Sequence, residues 1–361
     1  MTNAMDKVKR FFVDCVWRTF FVAWIWETFC KKWVWQGFFV KTVYRKFDSW
    51  KAWLYLAPAI ILLIIFTVWP IINTLRMAFW DGYRLSKEVA AIRQGLTYEM
   101  KFGIANFKDV LFTFKDFTQC LKNTMLLCVL TVPISTILAL IIAVCLNSIK
   151  PLQKIFQTIF FLPYVTNSIA IGMVFATMFN MIGYQPGSST PPSSYGIMNE
   201  ILGFVGISPV NWVNPNSSYA ANIFVLVTYI VWNALPFKIL ILLGGLQSVS
   251  KQYYDAAKID STPRLRVFTR ITVPLLSPMI AYVVITSFIG GFKEYSSIVG
   301  IFGVELTAGG SSQNLNTMVG YIYSQLGSHE GSASAAALIL FAIIFVVTLI
   351  NLYVSKKKTH Y

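Results

Sequence analysis

Six stretches of the chain are apolar for about twenty residues or more, at roughly 54–79, 119–148, 156–182, 219–247, 273–303 and 332–354. Each is long enough to cross the ~30 Å hydrocarbon layer as a helix. A soluble protein of this length could bury a large core, but it has no way to hide several such runs. The pattern therefore predicts an all-α integral membrane protein with about six transmembrane helices. Pro133, Pro163 and Pro236 interrupt these stretches. A membrane helix tolerates them because neighbouring helices and hydroxyl groups take up the freed backbone groups.

The polar positions between the runs orient them, since cytoplasmic loops carry the excess of Lys and Arg. Segment 1–52 holds ten of these residues, 149–154 holds Lys150 and Lys154, 248–272 holds five, and the tail holds Lys356, Lys357 and Lys358. The opposite side has six, all within 80–118. Both termini and the 248–272 loop of this multi-pass protein are expected in the cytoplasm. The chain divides into an interfacial extension (1–52), a membrane domain (53–354) and a basic tail (355–361).

The extension interleaves Trp17, Trp24, Trp26, Trp33, Trp35 and Trp50 with basic residues. That mixture favours the headgroup region, so a helix lying on the cytoplasmic face is expected. The alternative is a seventh span around 11–30. It would place Lys7, Lys9 and Arg10 outside and hold Asp14, Arg18 and Glu27 in lipid. Those same charges, with no small-residue cleavage site after them, argue against a secretory signal.

Composition narrows the chemistry. The chain is 56% hydrophobic and 12% charged, with a net charge of +15; the charged share is about half that of soluble proteins. In a soluble chain such a charge would suggest nucleic acid, but here it follows the loops. Five cysteines without a CxxC pair and two separated histidines, His329 and His360, suggest neither a disulfide framework nor a metal site.

One loop stands out. Ser250–Pro278 reads SKQYYDAAKIDSTPRLRVFTRITVPLLSP, which predicts two short helices meeting at a turn. Ser250 is suited to cap the first, and Thr262 followed by Pro263 reads as a cap with proline in the first helical position. Ala256 and Ala257 offer a surface on which another protein could pack closely. By composition alone the loop could equally be a basic connector.

The spacing Asp255-Ala256-Ala257, three residues, Ser261, nine residues, Ile271-Thr272-Val273-Pro274 resembles the EAA loop of ABC importer permeases. That motif runs Glu-Ala-Ala, three residues, Gly, nine residues, Ile-x-Leu-Pro. Asp255 departs from Glu conservatively. Ser261 departs from Gly, so the turn either avoids positive φ or accepts modest strain. Phe107-Lys108-Asp109-Val110-Leu111, Asn123-Thr124, Leu146-Asn147, Phe160-Phe161-Leu162-Pro163-Tyr164, Gly196-Ile197-Met198-Asn199, Trp212, Gly245-Leu246-Gln247 and Phe292-Lys293-Glu294-Tyr295 follow in the family's order. The chain from about 53 to 354 thus resembles maltose-type carbohydrate permeases.

The resemblance implies a type I importer permease fold, a place in a bacterial plasma (inner) membrane, and a division of labour. A second permease shares the path, two ATPase subunits bind ATP and magnesium, and an external binding protein delivers a sugar or oligosaccharide. No cofactor and no catalytic residue are expected in this chain, which has no G-x-x-x-x-G-K-[ST] loop. Within the EAA-type loop (248–274), helix 250–261 would dock on the ATPase through Tyr253, Asp255, Ala256, Ala257 and Ser261. The implied solute path runs past Tyr164, Ser168, Asn233, Phe237, Ser287 and Glu294. Aromatic faces beside hydroxyls and amides suit a sugar, although the same residues also mediate ordinary helix packing. The Lys293-Glu294 pair, ionisable where the maltose permease is amide-rich, either faces a cavity or bridges to a partner.

Two other classes fit less well. A secondary transporter would show an internal repeat or a charged relay across spans, and a membrane enzyme would need a cluster of His, Cys or carboxylates. Neither pattern is present.

Overall fold

The computed structural model describes residues 49–94, 101–113, 115–149, 153–188, 190–303 and 315–358. The expectations for residues 1–48 and for the last three residues of the tail lie outside these. Helices dominate, and among the described residues only two isolated β-bridges occur.

Residues up to Ile72 form one unit and Asn73–Tyr361 another. In the first, α1 (Ser49–Leu63) passes through a π turn at Ile64–Val68 into the start of α2 (Trp69–Ala78), whose residues from Asn73 on are counted in the second. Leu54, Ile61 and Phe66 on this span are exposed. The second unit continues with α3 (Leu85–Arg93), α4 (Lys115–Ser148), α5 (Gln153–Val165), α6 (Ser168–Phe179) and α7 (Ile197–Phe204). After α8 (Tyr219–Ser248) come α9 (Lys251–Ile259), α10 (Arg264–Val267), α11 (Ser277–Phe292), α12 (Ser296–Phe302), α13 (Met318–Gln325) and α14 (Glu330–Lys358).

Four of the expected spans are single helices: Trp53–Ala78, Asp116–Ser148, Tyr219–Ser248 and Glu330–Lys356. The other two are broken pairs of helices, which bring the number of spans to six when each pair is one span. The stretch expected at 156–182 is a pair, α5 and α6, bent by 99°. Thr166 Oγ1 donates to the Pro163 carbonyl at 2.7 Å, and Asn167 Oδ1 accepts from the Ile169 and Ala170 amides. These side chains replace the backbone bonds lost at the break. The stretch expected at 273–303 is bent by 68° between Arg264–Leu275 and α11, and it ends at Phe292. Pro274 and Pro278 flank that bend and supply no amide to the helical ladder.

Three buried clusters hold the second unit together. Leu226, Tyr229, Phe179 and Ile298 form one, and Phe117, Phe292, Tyr321 and Ala335 form another. The third joins α4 to α8 through Ala139, Ala143, Leu242 and Leu243. Truncating a buried leucine such as Leu242 to Ala would cost about 2–5 kcal/mol. Small residues set the approach of α6 to α12. A Cβ on Gly172 would lie 2.9 Å from the Gly300 Cα, so close helix contact there excludes larger side chains.

Candidate functional site

The loop singled out in the sequence folds as α9, a turn and α10. Ser250 occupies the N-cap position of α9, but its side chain makes no capping bond. The second cap differs from expectation: Pro263 is itself the N-cap and α10 starts at Arg264. The Pro263 carbonyl accepts from the Arg266 amide at 2.9 Å. Beyond α10 a π turn, Phe268–Thr272, leads into Val273–Leu275.

The turn between α9 and α10 explains the position of Ser261. Its φ is +52°, in the left-handed region that L residues with a side chain avoid. The Thr262 amide donates to the Ala257 carbonyl at 2.9 Å and the Ser261 amide to the Lys258 carbonyl at 3.0 Å. This is a Schellman closure with Ser261 at the site where glycine is preferred. The turn accepts the strain.

The helix turns one face inward. Tyr254 Oη lies 3.4 Å from Thr272 Oγ1, and Ala257 is only 5% exposed. Ala257, one of the expected docking residues, is thus covered by the chain itself. Asp255 and Ala256 face outward, Tyr253 lies on the flank at 54% exposure, and Ile259 is 85% exposed. Ile259 was not among the expected contacts. Its apolar character beside Asp260 gave a weak hint that only the helix geometry resolves. Lys258 Nζ bonds Asp255 Oδ1 at 3.0 Å. That bond holds the Asp255 carboxyl below its ordinary pKa of 3.8, and both side chains of the pair are exposed.

Four of the six expected path residues come together between α5, α6 and α8. Tyr164 and Phe237 stack, with ring centroids 5.8 Å apart and an interplanar angle of 15°. Ser168 Oγ is 3.2 Å from Tyr229 Oη and accepts from Asn233 Nδ2 at 3.4 Å. Tyr164 is 51% and Phe237 37% exposed, so the stacked pair presents open aromatic surface. Phe175 and Trp232 extend the aromatic wall beyond Tyr229.

The other two are engaged elsewhere. Ser287 Oγ donates into its own helix, to the Val283 carbonyl. Glu294 Oε1 accepts from the Ser297 amide at 3.1 Å, in the first turn of α12, and its carbonyl accepts from Thr317 Oγ1. Lys293 is exposed, and among the described residues it makes no ion pair with Glu294. A cavity of about 210 Å³ lies elsewhere, lined by Thr177, Asn180, Asn214 and Phe302; none of the six lines it.

One buried residue went unnoticed in the sequence. Lys238 sits inside α8 and bonds Ser135 and Thr136 on α4. The signal was a lone charge in the apolar run Phe237-Lys238-Ile239-Leu240.

Residues 132–360 match the family described as binding-protein-dependent transport system inner membrane component. The chain is similar to the lactose transport system permease protein of Rhizobium radiobacter, at 27% identity over 85% of this chain and 93% of the relative. It is 30% identical to the arabinooligosaccharides transport system permease protein of Bacillus subtilis, over 86% of this chain and 90% of the relative. The trehalose/maltose transport system permease protein of Thermococcus litoralis is 27% identical over 84% of this chain and 93% of the relative. The fold resembles a chain in the crystal structure of a bacterial ABC transporter involved in the import of alginate. There the TM-score is 0.67 at 22% identity, over 86% of this chain and 97% of that one.

Proposed function

The chain belongs to the binding-protein-dependent transport system inner membrane component family, and on that premise we propose that its solute is a sugar or oligosaccharide. The stacked Tyr164–Phe237 pair beside Ser168 and Asn233 carries this reading. An aromatic face stacks on the apolar face of a sugar ring, while hydroxyl and amide groups meet its hydroxyls. The relatives' names point the same way, being lactose, arabinooligosaccharide and trehalose/maltose permeases.

In this reading the chain is a non-enzymatic permease subunit, paired with a second permease. Two ATPase subunits bind ATP and magnesium and dock on the outward face of α9 through Tyr253, Asp255, Ala256 and Ile259. Ser261 shapes the turn that presents this face. Closure of the ATPase pair moves α9 as a lever, and the spans alternate between inward-facing and outward-facing states. Both termini lie in the cytoplasm, and an external binding protein delivers the solute. A solved relative of the same fold is described in complex with an alginate pentasaccharide-bound periplasmic protein, which supports such a partner. The interfacial extension 1–52 serves anchoring.

The test is reconstitution. The chain is purified with its partner subunits and with the solute-binding protein, and a panel of di- and oligosaccharides is screened for stimulated ATP hydrolysis. Stimulation by one saccharide, with no ATP cross-linking to the isolated chain, is the expected result. Stimulation only by amino acids or metal ions overturns the sugar assignment.

A further inference from the structure

A second open pair of aromatic rings borders the cluster that surrounds Tyr229. Tyr295, the residue before α12, stacks on Tyr323 of α13, with ring centroids 4.8 Å apart and an interplanar angle of 22°. Tyr323 is 55% exposed. Its direction is fixed by Tyr321, two residues earlier, which is buried and packs edge-on against Phe117. Among the described residues neither the Tyr295 nor the Tyr323 hydroxyl has a hydrogen-bond partner. A phenol turned to hydrocarbon without a partner carries a desolvation cost. The pair therefore belongs to a wet surface and not to the lipid-facing one.

Buried Tyr229 connects this pair to the first one. Its hydroxyl donates to the Ser168 carbonyl, beside the Tyr164–Phe237 stack. Tyr295 packs against the same cluster that contains Tyr229 and Ile298. Along α8, Tyr229 stands eight residues nearer the outer end than Phe237, a rise of about 12 Å. The two open stacks thus lie at different depths, joined by a wall of buried side chains.

We propose that Tyr295 and Tyr323 form a second saccharide-stacking platform at the outer mouth of the path, which favours chains longer than a disaccharide. The proposal rests on the reading above, both of the Tyr164–Phe237 stack as a sugar contact and of the orientation of the spans. The open face of Tyr323 covers the apolar face of one ring, and the two phenols meet its hydroxyls. A disaccharide held on Tyr164–Phe237 leaves the outer platform empty. A longer chain reaches it over the wall around Tyr229.

The test uses the complex with its partner subunits and solute-binding protein in lipid vesicles. The probes are the disaccharide and the pentasaccharide of glucose and of arabinose, each saturating the binding protein, and uptake rates are measured. The ratio of pentasaccharide to disaccharide uptake should fall at least fivefold in Tyr323→Ala and stay within twofold in Tyr323→Phe, which keeps the ring. Because Tyr323→Ala could loosen α13, Tyr323→Leu, which keeps the bulk and removes the flat face, is measured beside it and should lower the ratio likewise. Tyr164→Ala should slow both lengths alike. Uptake of neither series, or of both at an unchanged rate in Tyr164→Ala, overturns the path reading and the outer platform with it. An unchanged ratio in Tyr323→Ala and Tyr323→Leu, or an equal fall in Tyr323→Phe, while Tyr164→Ala slows both lengths, overturns the outer platform alone.

Discussion

The Thr262 amide reaches back 2.9 Å to the Ala257 carbonyl and closes α9 around Ser261 at φ +52°. The left-handed conformation costs a residue with a side chain about 1–2 kcal/mol. Glycine escapes that cost but gives back part of it through the entropy of the unfolded chain. Ser261→Gly should therefore raise stability by about 0.5–1 kcal/mol, and Ser261→Val should lower it by about 1–2 kcal/mol. Thermal unfolding of the two variants in detergent checks both signs, and ATPase association should change less than a few-fold with Gly.

The faces of α9 separate folding from docking. Ala257→Arg drives a long charged chain into a covered position, which costs about 3–5 kcal/mol. Tyr253→Ala and Ile259→Asp alter exposed positions and should leave unfolding temperatures unchanged. An aromatic or apolar anchor at an interface is worth about 2 kcal/mol, or about thirtyfold in affinity. Co-purification with the ATPase should thus fall for all three variants, with stability lost only for Ala257→Arg. Loss of stability in Tyr253→Ala would show that the helix has been oriented wrongly.

Along the proposed solute path the effect should follow geometry. Phe237→Ala or Tyr164→Ala removes half of the stacked pair and should raise the half-saturating solute concentration by about 5–30-fold, the equivalent of about 1–2 kcal/mol. Ser287→Ala should stay within about twofold, because that hydroxyl already bonds the Val283 carbonyl. Equal effects at all three positions would argue against the stacked pair as the contact.

On the opposite side of the span, Tyr83 Oη donates to Glu88 Oε2 at 2.5 Å, and Arg76 Nη2 bonds Glu88 Oε1 at 3.0 Å. Burial, then the bond to Glu88, pushes the Tyr83 phenol up to about 12 from its ordinary 10.0. A folded-state pKa above the unfolded value contributes stability that is complete below the unfolded pKa and is lost as pH rises through the folded one. Stability from this latch should stay flat from pH 6 to 9 and fall between about 10 and 12. Tyr83→Phe should abolish that alkaline step and cost about 1.5–3 kcal/mol at neutral pH. Unfolding midpoints across the pH series measure both effects.

Much of the molecule was legible along the chain. Apolar run length set the membrane class and the number of spans, because crossing a bilayer needs about twenty residues whatever they pack against. The Asp255-to-Pro274 spacing marked the loop that folds as α9 and α10, and Ser261 in place of glycine marked its turn but left open whether that turn is strained, which the φ of +52° decides. The break at Asn167 was partly visible in Pro163 but was read as a tolerated proline. Whether Asn167 caps a new helix or rides within an old one depends on what lies beside it.

By itself, then, the sequence determined the features that local chemistry controls: the spans, the charged loops between them, and the family-like turn. Tertiary structure decided which side of each helix meets the chain and which is left outward. Ala257 turned inward and Ile259 outward, although neighbouring residues cannot reveal which side the rest of the chain covers. Lys238 found its acceptor Ser135 at a separation of 103 residues. No periodicity within α8 points to that partner. Only the packing of α8 on α4 brings the two within 2.6 Å, where a buried donor must find an acceptor or carry the cost of desolvation.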